Sequence, residues 1–400
     1  MPPELRMQTL RKADRIHRFP AKMSPRLAYS FLMESKRGDP SRNIRFHDPM
    51  CGSGTTALVA RSLGLSVSAA DAMYPASIIA LAKLRRLENV KLTDMLEFAR
   101  TVTISSKSSP SNKWANWRIW FTPKVLSSLE EIAGQINEAG NQSFFPHLLT
   151  AFFQTVWDTS SADRNVIVPT RSNNSRAAPK LRGTKVLAIF EQRLRRVSGA
   201  QRALGSLGFD TKKPPVYQAN SLDSRSWPSG RVDLILTSPP YGCGIDYERA
   251  FRLQMRIWSP FLKRQPTRLG LVGRRNNLDD PEISLSHEIT ESSWYRRTSN
   301  GDPTRWQMFL QYLSDFKRFL HISRQRLSKT GRLCLVIGNP QINKTRVPLV
   351  DLVEGLAWEE HFRLEASPSQ DRIKTRVQNF RLRSATSHIQ RDYLLSFLPS

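Results

Sequence analysis

The chain has 400 residues, enough for one large domain with insertions or for two domains, and 39% of them are hydrophobic, which allows a substantial core. It contains 61 Lys and Arg against 34 Asp and Glu, and the formal net charge of +27 favours a polyanionic partner, nucleic acid first and an anionic membrane surface second. No apolar run approaches the roughly 18 to 20 residues that a membrane-spanning helix needs, and the N-terminus lacks the apolar segment of a signal peptide.

Strand and helix patterns alternate at the start of the chain. IRFHDPM predicts a short strand that ends in a turn, and GTTALVARSLG predicts a helix that ends at Gly64. LSVSAAD predicts a second strand, and PASIIALAKLRRL a second helix with Pro75 in its first turn. This order is typical of the beginning of a doubly wound α/β sheet.

The alternation stops between about residues 88 and 215 and then resumes. In this region KVLSSLEEIAGQINEAG and GTKVLAIFEQRLRRVSGAQRALGSLG predict helices, and the window 164–213 holds 12 Lys and Arg against two acids. The later segments are the strands PPVYQAN and VDLILTS, the helix YERAFRLQMRIW, a polar stretch, the helix WQMFLQYLSDFKRFLHISRQRL, the strand GRLCLVIGN, the helix VPLVDLVEGLAWEE, and the strands HFRLEAS and RDYLLSFLP.

We therefore predict a single α/β core that is interrupted by two insertions. Its segments are an N-terminal, cofactor-binding part at 1–89, a largely helical basic insertion at 90–215, a continued core at 216–262, a polar insertion at 263–304 and a C-terminal part of the core at 305–400.

Two glycines, Gly52 and Gly54, lie between the first predicted strand and the helix that follows it. Glycines there let backbone N–H groups approach a ligand at the positive end of a helix. With Ala57 they match a dinucleotide fingerprint, and Asp71 follows at the end of the next strand, where an acid commonly accepts hydrogen bonds from ribose hydroxyls. The pattern predicts an adenosine-bearing cofactor, and it is not a phosphate P-loop because no Gly-Lys-Ser/Thr follows.

Asp48 distinguishes among the adenosine-bearing cofactors. It stands at the strand end just before the glycines, where its charge would repel a pyrophosphate and attract an ammonium or sulfonium group. S-adenosylmethionine carries both cationic groups and no phosphate. A structural role for Asp48, as the first residue of an Asp-Pro turn, is the alternative.

A second unusual corner follows the strand VDLILTS. The strand runs into Ser238, Pro239, Pro240 and Tyr241, and prolines cannot donate to a sheet, so the strand must end near Thr237 in a stiff turn. A rigid corner of this kind can fix hydrogen-bond acceptors in place, and it also occurs as a purely structural strand-to-loop connection.

Together, DPMCGSGTT and TSPPY resemble the two signature motifs of the DNA amino-methyltransferases, the N4-cytosine and N6-adenine enzymes. Met50 stands where the family usually has phenylalanine. HRFPAKMSPRLAYSFL is similar to the family's N-terminal cofactor-binding segment, and SPPYGCGIDYERAFRLQMRIW is similar to a group of site-specific DNA methyltransferases. The glycine motif precedes the SPPY motif here, whereas many N4-cytosine enzymes have the reverse order.

The resemblance implies a Rossmann-like S-adenosylmethionine-dependent methyltransferase fold, with a mostly parallel central sheet and helices on both faces. It implies double-stranded DNA as the partner and S-adenosylmethionine as the cofactor, with no metal, and the insertions are the candidates for DNA binding and target recognition. The implied catalytic residues are Ser238, Pro239, Pro240 and Tyr241. The implied cofactor-binding residues are Phe19, Pro20, Lys22, Asp48, Pro49, Cys51, Gly52, Ser53, Gly54, Thr55, Thr56, Asp71 and Asp223.

Serine at position 238 favours cytosine N4 over adenine N6 within the resembled family, and adenine N6 stays the near alternative. Cytosine C5 methylation needs a cysteine after a proline, and no Pro-Cys pair occurs. The alternative from another class is a catalytically silent DNA-binding protein that keeps the fold. Three widely spaced cysteines, Cys51, Cys243 and Cys334, fit a reducing cytoplasm and disfavour a zinc site. The recognition sequence, the oligomeric state and the presence of a restriction endonuclease as a partner stay open.

Overall fold

A computed structural model describes residues 2–35, 43–105, 119–164, 166, 168–170, 183–210, 215–242, 247–262, 283–365 and 392–400. Cys243 and residues 263–282 of the predicted polar insertion lie outside these ranges.

One seven-stranded sheet forms the centre of the described structure. Its strands are β1 (Arg45–Asp48), β2 (Ser66–Asp71), β3 (Val216–Gln218), β4 (Val232–Thr237), β5 (Leu327–Gly338), β8 (Phe362–Leu364) and β9 (Asp392–Pro399). A separate two-stranded hairpin pairs β6 (Gln341–Ile342) with β7 (Thr345–Arg346).

The sheet order is β3-β2-β1-β4-β5-β9-β8. The first five strands in this order pair in parallel, and β9 runs antiparallel to both of its neighbours, β5 and β8. This is the Rossmann order 3-2-1-4-5-6 with one reversed strand inserted before the last position. The predicted Rossmann-like methyltransferase fold, with its mostly parallel sheet, is confirmed.

Helices cover both faces of the sheet. They are α1 (Pro3–Asp14), α2 (Pro25–Ser35), α3 (Thr55–Ser62), α4 (Tyr74–Leu84), α5 (Asn89–Thr101), α6 (Pro123–Glu138), α7 (Phe145–Thr159), α8 (Gly183–Gly205), α9 (Tyr247–Ala250), α10 (Arg252–Trp258), α11 (His287–Glu291), α12 (Ser293–Ser299), α13 (Pro303–Arg326) and α14 (Leu349–Glu359). Within the described residues, no helix is both long enough and apolar enough to cross a membrane.

The central strands divide their side chains between two apolar clusters. Leu234 and Leu236 of β4 join the cluster that contains α1 to α8, whereas Ile235 joins the cluster built on α13 and α14. Cys334 and Leu335 of β5 divide in the same way. Because successive side chains of a strand point to opposite faces, a stretch that is buried on both faces must be apolar at successive positions, as Leu234–Leu236 of β4 and Leu333–Ile337 of β5 are.

The strand order reverses at β1. The chain passes from β1 to β2 on one side of the sheet, and β4 later pairs with β1 on the other side. Connections that leave in opposite directions open a crevice at the carboxyl ends of the two strands, and this is where ligands bind in open α/β sheets. The loops after β1 and β4 therefore border the position where a functional site is expected.

Several elements differ from the sequence-based predictions. The segment YERAFRLQMRIW is divided into α9 and α10 at Phe251. Helix α7 lies in the insertion that is predicted to be largely helical, at a place where the sequence analysis assigns no individual helix. Helix α7 contacts both α4 and α8, and side chains from α5 to α8 join the cluster that covers one face of the sheet. The predicted basic insertion thus shares its apolar core with the sheet.

Candidate active site

The glycine loop, defined here as Pro49–Gly54, requires glycine at two positions. Gly52 and Gly54 have φ values of +51° and +76°, which side chains rarely adopt. A Cβ atom at Gly54 would lie 2.8 Å from the Cβ of Ala80 and 3.0 Å from its Cα, so the missing side chain lets α3 approach α4. The N–H of Gly54 donates to the carbonyl of Cys51 at 2.7 Å and closes the turn.

Asp48 lies buried at the point where β1 enters the glycine loop, with 2% of its surface exposed. Burial raises the pKa of its carboxyl to about 7, against the lowering effect of the hydroxyls of Thr56 and Thr237 and of the Met50 N–H. The Thr56 hydroxyl donates to Oδ2, and the Met50 N–H lies 3.3 Å from Oδ1. A cation bound nearby would lower this pKa and favour the ionised carboxylate.

Asp71 ends β2 beside the same loop. Its Oδ2 accepts from the N–H of Gly52 at 2.9 Å, and its Oδ1 accepts from the N–H of Met73 at 2.9 Å. Burial raises its pKa to about 6, although both hydrogen bonds oppose the rise. Each carboxylate oxygen can accept more than one hydrogen bond, so Asp71 keeps the capacity to accept from ligand hydroxyls.

Phe19 covers the glycine loop from the N-terminal segment. A Cβ atom at Gly52 would lie 3.0 Å from the Cε1 atom of Phe19, and the Phe19 ring packs on Phe251 and Tyr247 with centroid distances of 5.3 and 6.4 Å. Pro20 is buried and lines a small cavity next to Phe251. The structure therefore brings Phe19 to the glycine loop, and it places Pro20 in the cavity beside Phe251.

A buried charge network holds the glycine loop from behind, and the sequence does not signal it. The Nζ of Lys83 donates to Asp14 Oδ1 at 2.7 Å and to Ser53 Oγ at 2.9 Å, and Thr55 donates to the same Asp14 oxygen at 2.6 Å. Lys22 donates to Asp14 Oδ2 at 2.7 Å. Lys83 is 0% exposed and Asp14 5%, so neither charge is offset by water.

The pKa values of this network follow from its geometry. Desolvation would raise the pKa of Asp14, but the ammonium groups of Lys83 and Lys22 outweigh it and hold that pKa well below its usual range. Burial lowers the pKa of Lys83 to about 8, although Asp14 opposes the shift. Lys22 was expected to line the cofactor pocket, and here its ammonium group is engaged by Asp14.

The proline corner, defined here as Ser238–Gly242, follows β4 without a sheet partner. Pro239 is buried, and Ser238, Pro240 and Tyr241 are partly buried. Tyr241 and Met50, one from each loop, pack against the same apolar cluster. Gly242 has a φ of +59°, and a Cβ atom there would keep ordinary distances of 3.5 Å or more to its neighbours.

The two loops meet at the crevice. Thr237, the residue before Ser238, is close enough to Asp48 to lower the pKa of its carboxyl, and β1 and β4 are adjacent in parallel register through Phe46 and Leu234. The structure thus places Asp48, the residue before the glycine loop, beside the start of the proline corner. A ligand bound on Gly52 and a second ligand bound at Ser238 would lie at the ends of neighbouring strands.

The carboxylate of Asp223 is engaged by an arginine. It pairs with Arg225 at 2.9 and 3.0 Å, and the carbonyl of the next residue, Ser224, accepts from Arg326 at the end of α13. The N–H of Asp223 donates to the carbonyl of Asn220 at 3.0 Å, so the two residues share one turn. Asn220 lies closer to Asp71 along the chain path, because the N–H of the residue before it, Ala219, donates to the carbonyl of Asp71 at 2.9 Å.

The other predicted cofactor-binding residues build the loop itself. The N–H of Cys51 donates to the carbonyl of Ala70 at 2.9 Å, and burial raises the pKa of its thiol. Pro49, Ser53, Thr55 and Thr56 are buried. Among the described residues, no group of three or more His, Cys, Asp or Glu side chains could hold a metal ion.

Comparison with known proteins finds similarity to methyltransferases. Residues 12–97, which contain Asp14, the glycine loop and Lys83, match the family model described as UPF0020: RMKL-like, methyltransferase domain. Over 375 residues the chain is 24% identical to Type II methyltransferase M.MvaI of Kocuria varians, and the match covers 86% of this chain and 80% of that protein.

Two solved structures of the rRNA methyltransferase aviRa from Streptomyces viridochromogenes are also similar to the chain. They are 12% identical to it, with TM-scores of 0.30 and 0.29, over 82% and 80% of this chain and 80% and 77% of theirs. The family model and M.MvaI are both methyltransferases, and they support the methyltransferase resemblance of the two motifs.

Proposed function

We propose that this chain, a relative of the methyltransferases, is a DNA methyltransferase that acts on an exocyclic amine of a base flipped out of duplex DNA, with cytosine N4 as the favoured target. The observation that carries the proposal is the contact between the two motifs, since Asp48 ends β1 beside Thr237 and Ser238 follows directly. The Type II designation of M.MvaI suits a restriction–modification setting, to which we extend the proposal.

The residues around the glycine loop suit S-adenosylmethionine. Bound there, it would supply an electrophilic methyl group on a sulfonium. The buried carboxyl of Asp48 has a raised pKa and gains a counter-charge from a cationic ligand. Gly52 leaves room against the Phe19 ring, and Asp71 keeps lone pairs for ribose hydroxyls. Asn220 replaces Asp223 in our proposal as the residue after β3 that faces the cofactor.

The proline corner suits the target amine. Its nitrogen lone pair is delocalised into the base ring, so the amine must be held and oriented before it can attack. The Ser238 hydroxyl and a backbone carbonyl of the corner, that of Pro239, are the acceptors for the amine hydrogens. The two prolines fix these acceptors in advance, and Tyr241 offers an aromatic face that offsets part of the few kcal/mol that base flipping costs.

Proximity supplies most of the rate in this proposal. Two ligands held in one crevice react as an effectively unimolecular pair, which can contribute roughly 7 to 11 kcal/mol. The chain needs no nucleophile of its own, because the target amine would be the nucleophile and the neutral thioether released from the sulfonium would be the leaving group. The amine would lose its extra proton to solvent. Adenine N6 is the second candidate, because its amine has the same electronic character.

The test uses labelled S-adenosylmethionine and mixed-sequence duplex DNA, followed by nucleoside digestion and mass spectrometry. We expect label on N4-methylcytosine. Label on N6-methyladenine alone would refute the cytosine choice and keep the amino-methyltransferase. Binding of the cofactor without label on any DNA or RNA would instead favour the catalytically silent DNA-binding protein.

A further inference from the structure

Five basic side chains cluster where the end of α1 crosses α8. They are named here the α1–α8 basic ridge and consist of Arg11, Lys12, Arg15, Arg193 and Arg196. All are exposed except Arg193, which is partly buried. A Cβ atom at Gly199 would lie 3.8 Å from Lys12 Cε and 3.9 Å from Lys12 Nζ, so the lysine of α1 packs beside α8.

Four of the five ridge side chains have no acidic partner among the described residues, whereas Arg193 pairs with Asp158. Within the described part of the chain, neither Arg15 nor Arg196 forms an ion pair, and the same holds for Arg11 and Lys12. Burial lowers the pKa of Arg196, and the positive charges of Arg193 and Arg15 lower it further. Like charges held together repel one another, so this arrangement is stabilised by an anionic partner.

The nearby acids are already neutralised. Asp158 binds Arg193 at 2.7 Å and Arg164 at 3.4 Å. Asp14, one residue before Arg15, is buried and is shared by Lys83 and Lys22. The ridge therefore presents a net positive surface.

The ridge begins next to the candidate active site. The Asp14 carboxylate that precedes Arg15 accepts from Thr55 of the first turn of α3 at 2.6 Å, and Phe19, four residues after Arg15, lies against Gly52. A polyanion on the ridge would pass close to the crevice between the glycine loop and the proline corner.

We propose that the α1–α8 basic ridge binds the phosphate backbone of the duplex DNA that flanks the target base. This rests on the proposed function, which supplies the duplex substrate. Arginine and lysine side chains that neutralise phosphates release condensed counterions, so the contribution of each one appears as a salt dependence of binding. The ridge carries affinity and orientation, whereas base recognition requires other contacts.

The test compares two double variants that each remove two positive charges. Arg15→Gln/Arg196→Gln removes them from the ridge, and Lys329→Gln/Arg363→Gln removes them from exposed positions on β5 and β8. Binding of a fluorescent 30-base-pair duplex is measured by anisotropy at several salt concentrations. For the ridge variant we expect about tenfold weaker binding at 0.1 M salt and a log–log salt slope smaller by about 1 to 2.

The control variant should keep the wild-type slope, and both variants should keep wild-type thermal unfolding and S-adenosylmethionine binding. An equal loss of DNA affinity in the two variants would overturn the proposal for the ridge, because net charge alone would then explain the loss. Binding of anionic lipid vesicles that depends on the ridge, with unchanged DNA binding, would overturn it as well. A wild-type chain that binds and methylates no DNA would instead contradict the proposed function.

Discussion

The glycine loop and the proline corner border one crevice, but they are held in different ways. The glycine loop depends on distant parts of the chain, through Asp14 of α1, Lys83 of α4 and Asp71 of β2. The proline corner depends on its own covalent stiffness and on the packing of Tyr241. The loop proposed to hold the cofactor therefore depends on charge and long-range contacts, and the loop proposed to hold the target amine depends on local conformation.

The largest expected difference between the two loops is in stability. Lys83→Met removes the buried cation and leaves Asp14 with only Lys22, and breaking a buried ion pair costs about 3 kcal/mol or more. Lys83→Met/Asp14→Asn should recover part of this loss. Pro239→Ala in the proline corner should cost less than about 1 kcal/mol. Urea unfolding measures all three variants, and equal losses in the two loops would contradict the distinction.

The next effect concerns catalysis alone. Ser238→Ala should lower kcat about 100-fold, because removing one preorganised hydrogen-bonding group from an active site typically has this effect. Binding of S-adenosylmethionine and the unfolding free energy should stay unchanged, since Ser238 is only partly buried and lies outside the glycine loop. Kinetics with labelled cofactor measures the rate, and a parallel loss of cofactor affinity would show that the two loops are not separable.

A matched pair of glycine substitutions separates backbone strain from steric contact. Gly242→Ala should cost about 1 kcal/mol, since only the left-handed φ is penalised. Gly54→Ala meets the same penalty and also a clash with the Ala80 backbone, so we expect about 2 to 3 kcal/mol in total. Thermal unfolding of both variants gives the comparison. Equal costs would mean that α3 can move away from α4 freely.

The last expected effect is a pH dependence at Asp48, which is small within any one pH unit. Because the pKa of Asp48 is raised to about 7, the folded chain holds a proton that the unfolded chain has lost above about pH 4. Its stabilising effect is full below that pH and is lost as pH rises towards 7, by at most about 1.4 kcal/mol per unit.

Cofactor binding should show the opposite trend. A cationic ligand needs ionised Asp48, so its affinity should rise up to about tenfold per pH unit and level off above pH 7. Calorimetry with S-adenosylmethionine between pH 5 and 8 measures this. Asp48→Asn should bind weakly with a flatter profile, and an unchanged profile in that variant would assign the titration to another group.

The backbone elements around the site are predictable because their signals are local. Periodicity, Pro75 and the glycines locate β1, α3, β2 and α4, and the two motifs at the ends of β1 and β4 indicate the crevice. Helix α7 is not predicted because 13 of its 15 residues are buried, so it shows little of the polar face that marks a helix in a sequence.

The charge network behind the glycine loop could not be predicted for a different reason. Lys83 lies near the end of the apolar stretch of α4. The sequence predicts that its side chain is exposed to solvent, since lysine is rarely buried without a partner. Its partner, Asp14, is 69 positions away in the sequence, and only the folded chain brings the two together. Asp223 and Asn220 are three positions apart in one short loop, and the sequence alone does not decide which of them lies beside Asp71 in the fold.

The carboxylate of Asp14 has a consequence for dividing this protein into parts. A fragment that starts at β1 would retain both signature motifs and every strand of the sheet, yet Lys83 would lose the carboxylate that neutralises its ammonium group. The smallest unit that folds by itself must therefore include the first helix. A fragment that lacks this helix should fold when the helix is added as a separate peptide.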